Sequence, residues 1–169
     1  MAFIVETGLG VADANMYCSL AFVDAYFADR DIAGWTGSND HKQHAIVRAT
    51  DYVELRFSEA FIGEEVLPLQ ALSWPRKNTL IYDNAVPVKL QRAVAEYALR
   101  ALTAKLAPDP VISDTGFSVV TTKEVVGPIE QSYEIAGGTS KSQPTLLRPY
   151  PAADYLLTSL LKTTNSVFR

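Results

Sequence analysis

A single cysteine, Cys18, among 169 residues excludes an intrachain disulfide, and with it the disulfide-stapled scaffolds of oxidising compartments. Histidine is scarce as well: His41 and His44 are the only two, three residues apart on one expected helix face. A stable zinc site needs three or four protein ligands, so their expected place is a solvated first turn, and no metal is expected. No stretch approaches the ~20 uncharged apolar residues that span a bilayer. The start, Met1 to Glu6, lacks the basic opening of a secretory leader, so a cytoplasm-like setting without membrane contact is expected. Positive charge is in deficit. Fifteen Lys+Arg face nineteen Asp+Glu, a net charge of −4 and a pI near 5.1. Nucleic-acid affinity comes largely from cations that displace counterions from phosphates. The balance therefore weighs against a dedicated nucleic-acid binder, although it does not describe how the cations are distributed.

Recognisable catalytic patterns are missing too. No Gly-x-Ser-x-Gly elbow frames a serine for Ser-His-Asp chemistry, and Cys18 reads as a small buried hydrophobe rather than a nucleophile. Adjacent Glu64 and Glu65 read as exposed loop carboxylates, not as a catalytic pair. There is no Gly-x-x-x-x-Gly-Lys phosphate loop. Gly8-Leu9-Gly10 follows a possible short strand, but Asp13 stands where a dinucleotide fingerprint needs its third glycine. Neither an enzyme nor a cofactor is expected.

What is present is ordinary globular material, 48% hydrophobic and 20% charged, of a length that fits one domain over 1–169. The pattern predicts a mainly helical α+β fold: helices over about 20–30, 40–57, 87–106 and 152–161, with a strand pair over about 117–135. Residues 1–18 read as an extended N-terminal arm. Ser19 is a suitable N-cap, and Leu20, Val23, Tyr26 and Phe27 recur at helical spacing. Asp40 with Gln43 resembles a capping box for the second helix. Residues 58–86 show no period and read as a long, partly buried loop. Pro87 suits the first position of the strongest helix. Leu90, Val94, Tyr97, Ala98, Ala101 and Leu102 form its apolar stripe, opposite Lys89, Arg92, Glu96 and Arg100. Its alanines make it thin. Val119, Val120, Val125 and Val126 turn through Gly127-Pro128 to Ile129, Tyr133 and Ile135 as two strands. Residues 162–169 form a polar tail that carries Val167 and Phe168.

The segment Trp74-Pro75-Arg76-Lys77 has two readings. It is the best candidate for the aromatic-plus-cation surface of a single-strand nucleic-acid binder. The favoured reading makes Trp74, Pro75 and Arg76 the anchor of the long loop, with Trp74 in the core and Arg76 paired to a carboxylate.

These residues also carry a resemblance. Ala14-Asn15-x-Tyr17-x-Ser19-Leu20, Asp24-Ala25-Tyr26-Phe27-Ala28-x-Arg30, Trp35, Arg48-Ala49-Thr50-x-Tyr52 and Phe61-x-Gly63 come in order. Gln70-Ala71-Leu72-x-Trp74-Pro75-Arg76, the Pro87 helix with Glu96, Val126-Gly127-Pro128-Ile129, Tyr133 and Pro149-Tyr150-Pro151 follow. Over about 14–161 the chain resembles a phage protein family named for DnaT-like single-strand DNA binding, whose members are placed among head-tail connector, or adaptor, proteins. The family name and that role disagree, and the acidic balance favours the connector. The resemblance then implies a structural virion protein at the head-tail interface, assembled in the host cytoplasm. It would form a homo-oligomeric ring, a dodecamer, between portal and tail proteins, and packaged DNA would pass through its channel without specific binding. Phe22 and Val23, where the family pattern calls for a more acidic pair, are the candidate subunit contacts. By analogy with adaptors, Val167 and Phe168 would dock on the portal. The alternative is a single-strand DNA-binding replication accessory, acting through Trp74 or Arg76.

Overall fold

The computed structural model describes residues 2–108, 119–126, 129–136 and 148–162. Its elements are four helices and two small antiparallel ladders, a mainly helical α+β fold as the pattern predicts. The chain divides into two compact units, Met1–Leu106 with Arg148–Arg169, and Ala107–Leu147.

In the helical unit α1 spans Leu20–Ala28, and the Ser19 side chain accepts from the Phe22 amide as the cap. Helix α2 spans Asn39–Phe57. It begins one residue before the expected start because Ser38, not Asp40, caps it by accepting from the His41 amide. A 3₁₀ turn at Ser58–Ala60 follows. The long loop is not wholly irregular: β1 (Glu64–Glu65) pairs with β2 (Arg76–Lys77). Helix α3 spans Val88–Ala101. Pro87, at φ −58° and ψ 134°, precedes the helix instead of opening it. The helix stops at Ala101 and not near 106, where the Arg48 guanidinium donates to the Ala101 carbonyl at 2.8 Å. Helix α4 (Pro151–Leu157) continues as a 3₁₀ turn, Thr158–Leu160, within a residue of the expected 152–161.

The core forms where α3 packs on α2 and α4. Ala93, Ala95, Ala98 and Ala101 are all buried, so the neighbouring helices approach α3 closely around Leu90, Val94 and Tyr97. Two carboxylates organise the polar interior. Glu54 accepts from the Tyr17 hydroxyl and from the amide and hydroxyl of Ser73, at 3.2 and 2.6 Å. Asp154 receives both terminal nitrogens of Arg56, at 3.0 and 3.3 Å, the Tyr97 hydroxyl and the Tyr150 amide. Burial, followed by the Glu54 charge, holds the Tyr17 hydroxyl well above its ordinary pKa. Burial and then the bond to Asp154 do the same for Tyr97.

The first 18 residues, expected as an extended arm, fold back on themselves. Val5 bridges Met16, and Met16, Tyr17 and Cys18 enter the core. The buried Glu6 carboxylate accepts from the amides of Gly8, Gly10 and Val11 at 2.7–3.0 Å. Gly8 takes φ +98°, and a Cβ there would collide with the Asn84 carbonyl. The amides that a bound phosphate would require in this glycine segment are thus taken by the chain's own carboxylate.

In the second unit β3 (Val119–Val126) pairs antiparallel with β4 (Ile129–Ala136), in register from Val119 opposite Ala136 to Val126 opposite Ile129. The strand pair expected over 117–135 is a hairpin.

Candidate nucleic-acid interface

Helix α3 has one charged face. Its sequence contains three cations, Lys89, Arg92 and Arg100, and a single carboxylate, Glu96. Spacings of three, four and four residues put them in one row on the side away from the alanines. At 1.5 Å per residue the row runs about 16 Å from Lys89 to Arg100.

Glu96 is fully occupied. One carboxylate oxygen accepts from the Tyr26 hydroxyl at 3.0 Å, and the other pairs with Arg100 at 2.9 Å. Arg92 is exposed and makes no ion pair among the described residues. On the α1 side the Arg30 guanidinium lies 3.7 Å above the Tyr26 ring centroid. Burial, then Glu96, raises the Tyr26 pKa, while Arg30 and Arg92 pull it back. Arg30, Arg92 and Arg100 therefore act around one tyrosine, Tyr26, and one carboxylate, Glu96. On the α4 side the Lys89 ammonium donates to the Ser159 hydroxyl at 2.9 Å. Tyr155, four residues before Ser159 on the same face, is 80% exposed. Beyond the far end of the row, Arg100, Thr103, Arg148 and Tyr150 line a cleft of about 340 Å³.

This face is a row of cations between two tyrosines. Guanidinium and ammonium groups donate to phosphate oxygens, and the exposed Tyr155 ring gives a base a surface to stack on. The acidic net charge coexists with this face because Glu96, the one carboxylate in the row, is already paired.

The residues singled out from sequence lie away from this face. Trp74 has no exposed surface and packs edge-on to Phe61, with ring centroids 5.9 Å apart, so it offers no ring to a base. Its indole N–H has no hydrogen-bond partner among the described residues. Pro75 follows a cis peptide bond and is buried too. Arg76 is held by three carbonyls, Ile62 and Gly63 at 2.8 Å and Ser73 at 3.1 Å, not by the expected carboxylate. Together they tie the loop to the core. Val23 is fully buried among core residues and has nothing to present to a partner; Phe22 keeps part of its ring at the surface. Val167 and Phe168 lie outside the described residues. His44 bonds the Asp40 carbonyl at 2.8 Å. Among the described residues no three His, Cys, Asp or Glu side chains gather as metal ligands. Burial pushes the Cys18 thiol up to about 12.

Sequence reasoning identified Lys89, Arg92, Glu96 and Arg100 as one face, but only as the solvated side of a helix. Arg30, Tyr155 and Arg148 were missed. They come from distant segments, and only Tyr26 on α1 and Arg30, four residues on and just past the helix end, gave a local signal.

Fold and face define a small α+β protein that displays cations between tyrosines. A family model described as "Putative DnaT-like ssDNA binding protein" matches residues 1–169, and the chain belongs to that family. No curated protein and no solved structure matches it. The head-tail connector reading is overturned by this description, together with its portal, its tail partners, its dodecameric ring and its indifference to DNA. The error came from weighing net charge, when a phosphate responds to the charge of the face it meets.

Proposed function

We propose that this protein binds single-stranded DNA along the outer face of α3, acting as a binding protein and not as an enzyme. The observation that carries the reading is the row Lys89, Arg92 and Arg100, with Arg30 and Arg148 beside it and its one carboxylate already paired. The family description supports the same reading. Phosphates lie along the cations, and bases lean on the exposed Tyr155 ring.

The test is fluorescence anisotropy of a labelled oligothymidylate titrated with the full chain at several salt concentrations. If all five cations engage phosphates, the log–log salt slope is about −3.5, from roughly −0.7 per contact on a single strand. Affinity then falls about 100-fold between ~50 and ~200 mM salt. Arg92→Ala lowers the magnitude of the slope by about 0.7. Absence of binding at low salt, or a slope untouched by Arg92→Ala and Arg100→Ala, refutes the reading.

A further inference from the structure

The row of cations ends in an apolar groove at the start of α3. Leu80, Ile81, Val88, Lys89, Ser159 and Leu160 line most of it, and it holds about 390 Å³. Lys89 is its one charged residue, and no carboxylate lines it. Its wall is built to stand out from the surface. The Thr79 hydroxyl accepts from the Ile81 amide and donates to the Ile81 carbonyl, both at 3.1 Å. This small turn leaves Leu80 fully exposed and, just beyond it, Tyr82 84% exposed. Val88 is half exposed as well. Apolar surface concentrated at one spot marks a place where something docks.

Lys89 belongs both to the groove and to the phosphate row, so the two are continuous. On the basis of the single-strand reading above, we propose that the groove receives unstacked bases of the same strand whose phosphates lie on α3. A base brings an apolar face to Leu80 and Val88 while its own phosphate meets the Lys89 ammonium, and the next base stacks on Tyr82, which lines the adjoining pocket with Leu80, Ile81 and Asp83. Aliphatic walls with no dedicated donor or acceptor accept any base, so binding is tolerant of sequence. Paired bases are hidden in a duplex and do not reach the groove. The ligand class is therefore single strand with bases, not polyphosphate in general.

The test compares wild type with Leu80→Ala/Tyr82→Ala, both at exposed positions where substitution leaves the fold intact. Each binds a labelled oligothymidylate and an abasic deoxyribose-phosphate oligomer of equal length, across a salt series. For wild type the expected result is tighter binding of oligothymidylate than of the abasic chain, by about 5- to 100-fold, the range of one stacked base. The double variant loses that preference and keeps the wild-type salt slope. The proposal is overturned if the variant retains the preference, or if wild type binds both oligomers equally. The single-strand reading survives either result as long as Arg92→Ala still lowers the slope. A variant that binds both oligomers like wild type but loses an acidic, apolar peptide would assign the groove to a protein partner and also overturn the proposal.

Discussion

Tyr17→Phe removes one oxygen atom from a residue with no exposed surface. That oxygen makes two bonds: it donates to the Glu54 carboxylate and accepts from the Trp74 amide at 3.2 Å. A lost bond to a charged partner costs about 1.5–3 kcal/mol, and a buried amide left without a partner costs about 1–3 kcal/mol. The two losses share one site and overlap as it relaxes, so the expected destabilisation is about 3 kcal/mol. In a chain of this length that lowers Tm by roughly 6–12 °C. Both tryptophans, Trp35 and Trp74, lie in the helical unit, so tryptophan fluorescence during urea unfolding reports on that unit alone. The midpoint should fall while the denaturant slope stays the same. Tyr26→Phe, at a partly exposed hydroxyl, is the control and should cost less than about 1 kcal/mol. If Tyr17→Phe unfolds within about 0.5 kcal/mol of wild type, Tyr17 and Glu54 do not hold the Trp74 loop in the way described.

Cys18, buried with its thiol pushed up to about 12, should resist a thiol reagent in the folded protein and react once urea unfolds the chain; immediate labelling of the native state would contradict its burial. Arg76→Lys replaces a guanidinium on three carbonyls with an ammonium that cannot reproduce the fork, for an expected loss of about 2 kcal/mol; limited proteolysis should then cut between residues 62 and 77 faster, and an unchanged digest would count against the anchor. Tyr17 and Tyr97 are both held above their ordinary pKa. Their stabilising effect is complete below the unfolded-state value near ~10 and is lost as pH rises beyond it, because the unfolded chain ionises first. Urea midpoints should therefore fall above pH ~10, and a flat profile to pH ~11 would refute this.

Much of the fold was legible because its signals are local. Ser19 caps α1, the apolar stripe fixes which side of α3 is buried, and Pro149-Tyr150-Pro151 leads into α4. The misplaced boundaries have tertiary causes or competing local ones. Arg48 reaches the end of α3 from another helix, and Ser38 and Asp40 are both good caps, of which the earlier prevails. Trp74 shows the limit for the site: beside Arg76 and Lys77 it allows both a stacking platform and the favoured core anchor, and the packing on Phe61 leaves it no free ring. The α3 row was visible as helix periodicity. Its meaning depended on Tyr26, Arg30, Tyr155 and Arg148, which converge from segments up to about 130 residues apart in the chain.

Helix α3 does two jobs with two sets of residues that never overlap. Its small inward residues can hardly change, since a methylene added at Ala93 or Ala98 would push α2 and α4 apart. Of its outward cations, Arg92 makes no ion pair among the described residues and is the freest to vary, while Lys89 also holds Ser159 and Arg100 also holds Glu96. Drift along this one helix should therefore be uneven: one side conserved in volume, the other able to gain, lose or exchange charges without unfolding the protein. Affinity for a polyanion is thus adjustable over a wide range by single substitutions on a constant scaffold, a form of evolvability that a site built from buried loops would lack.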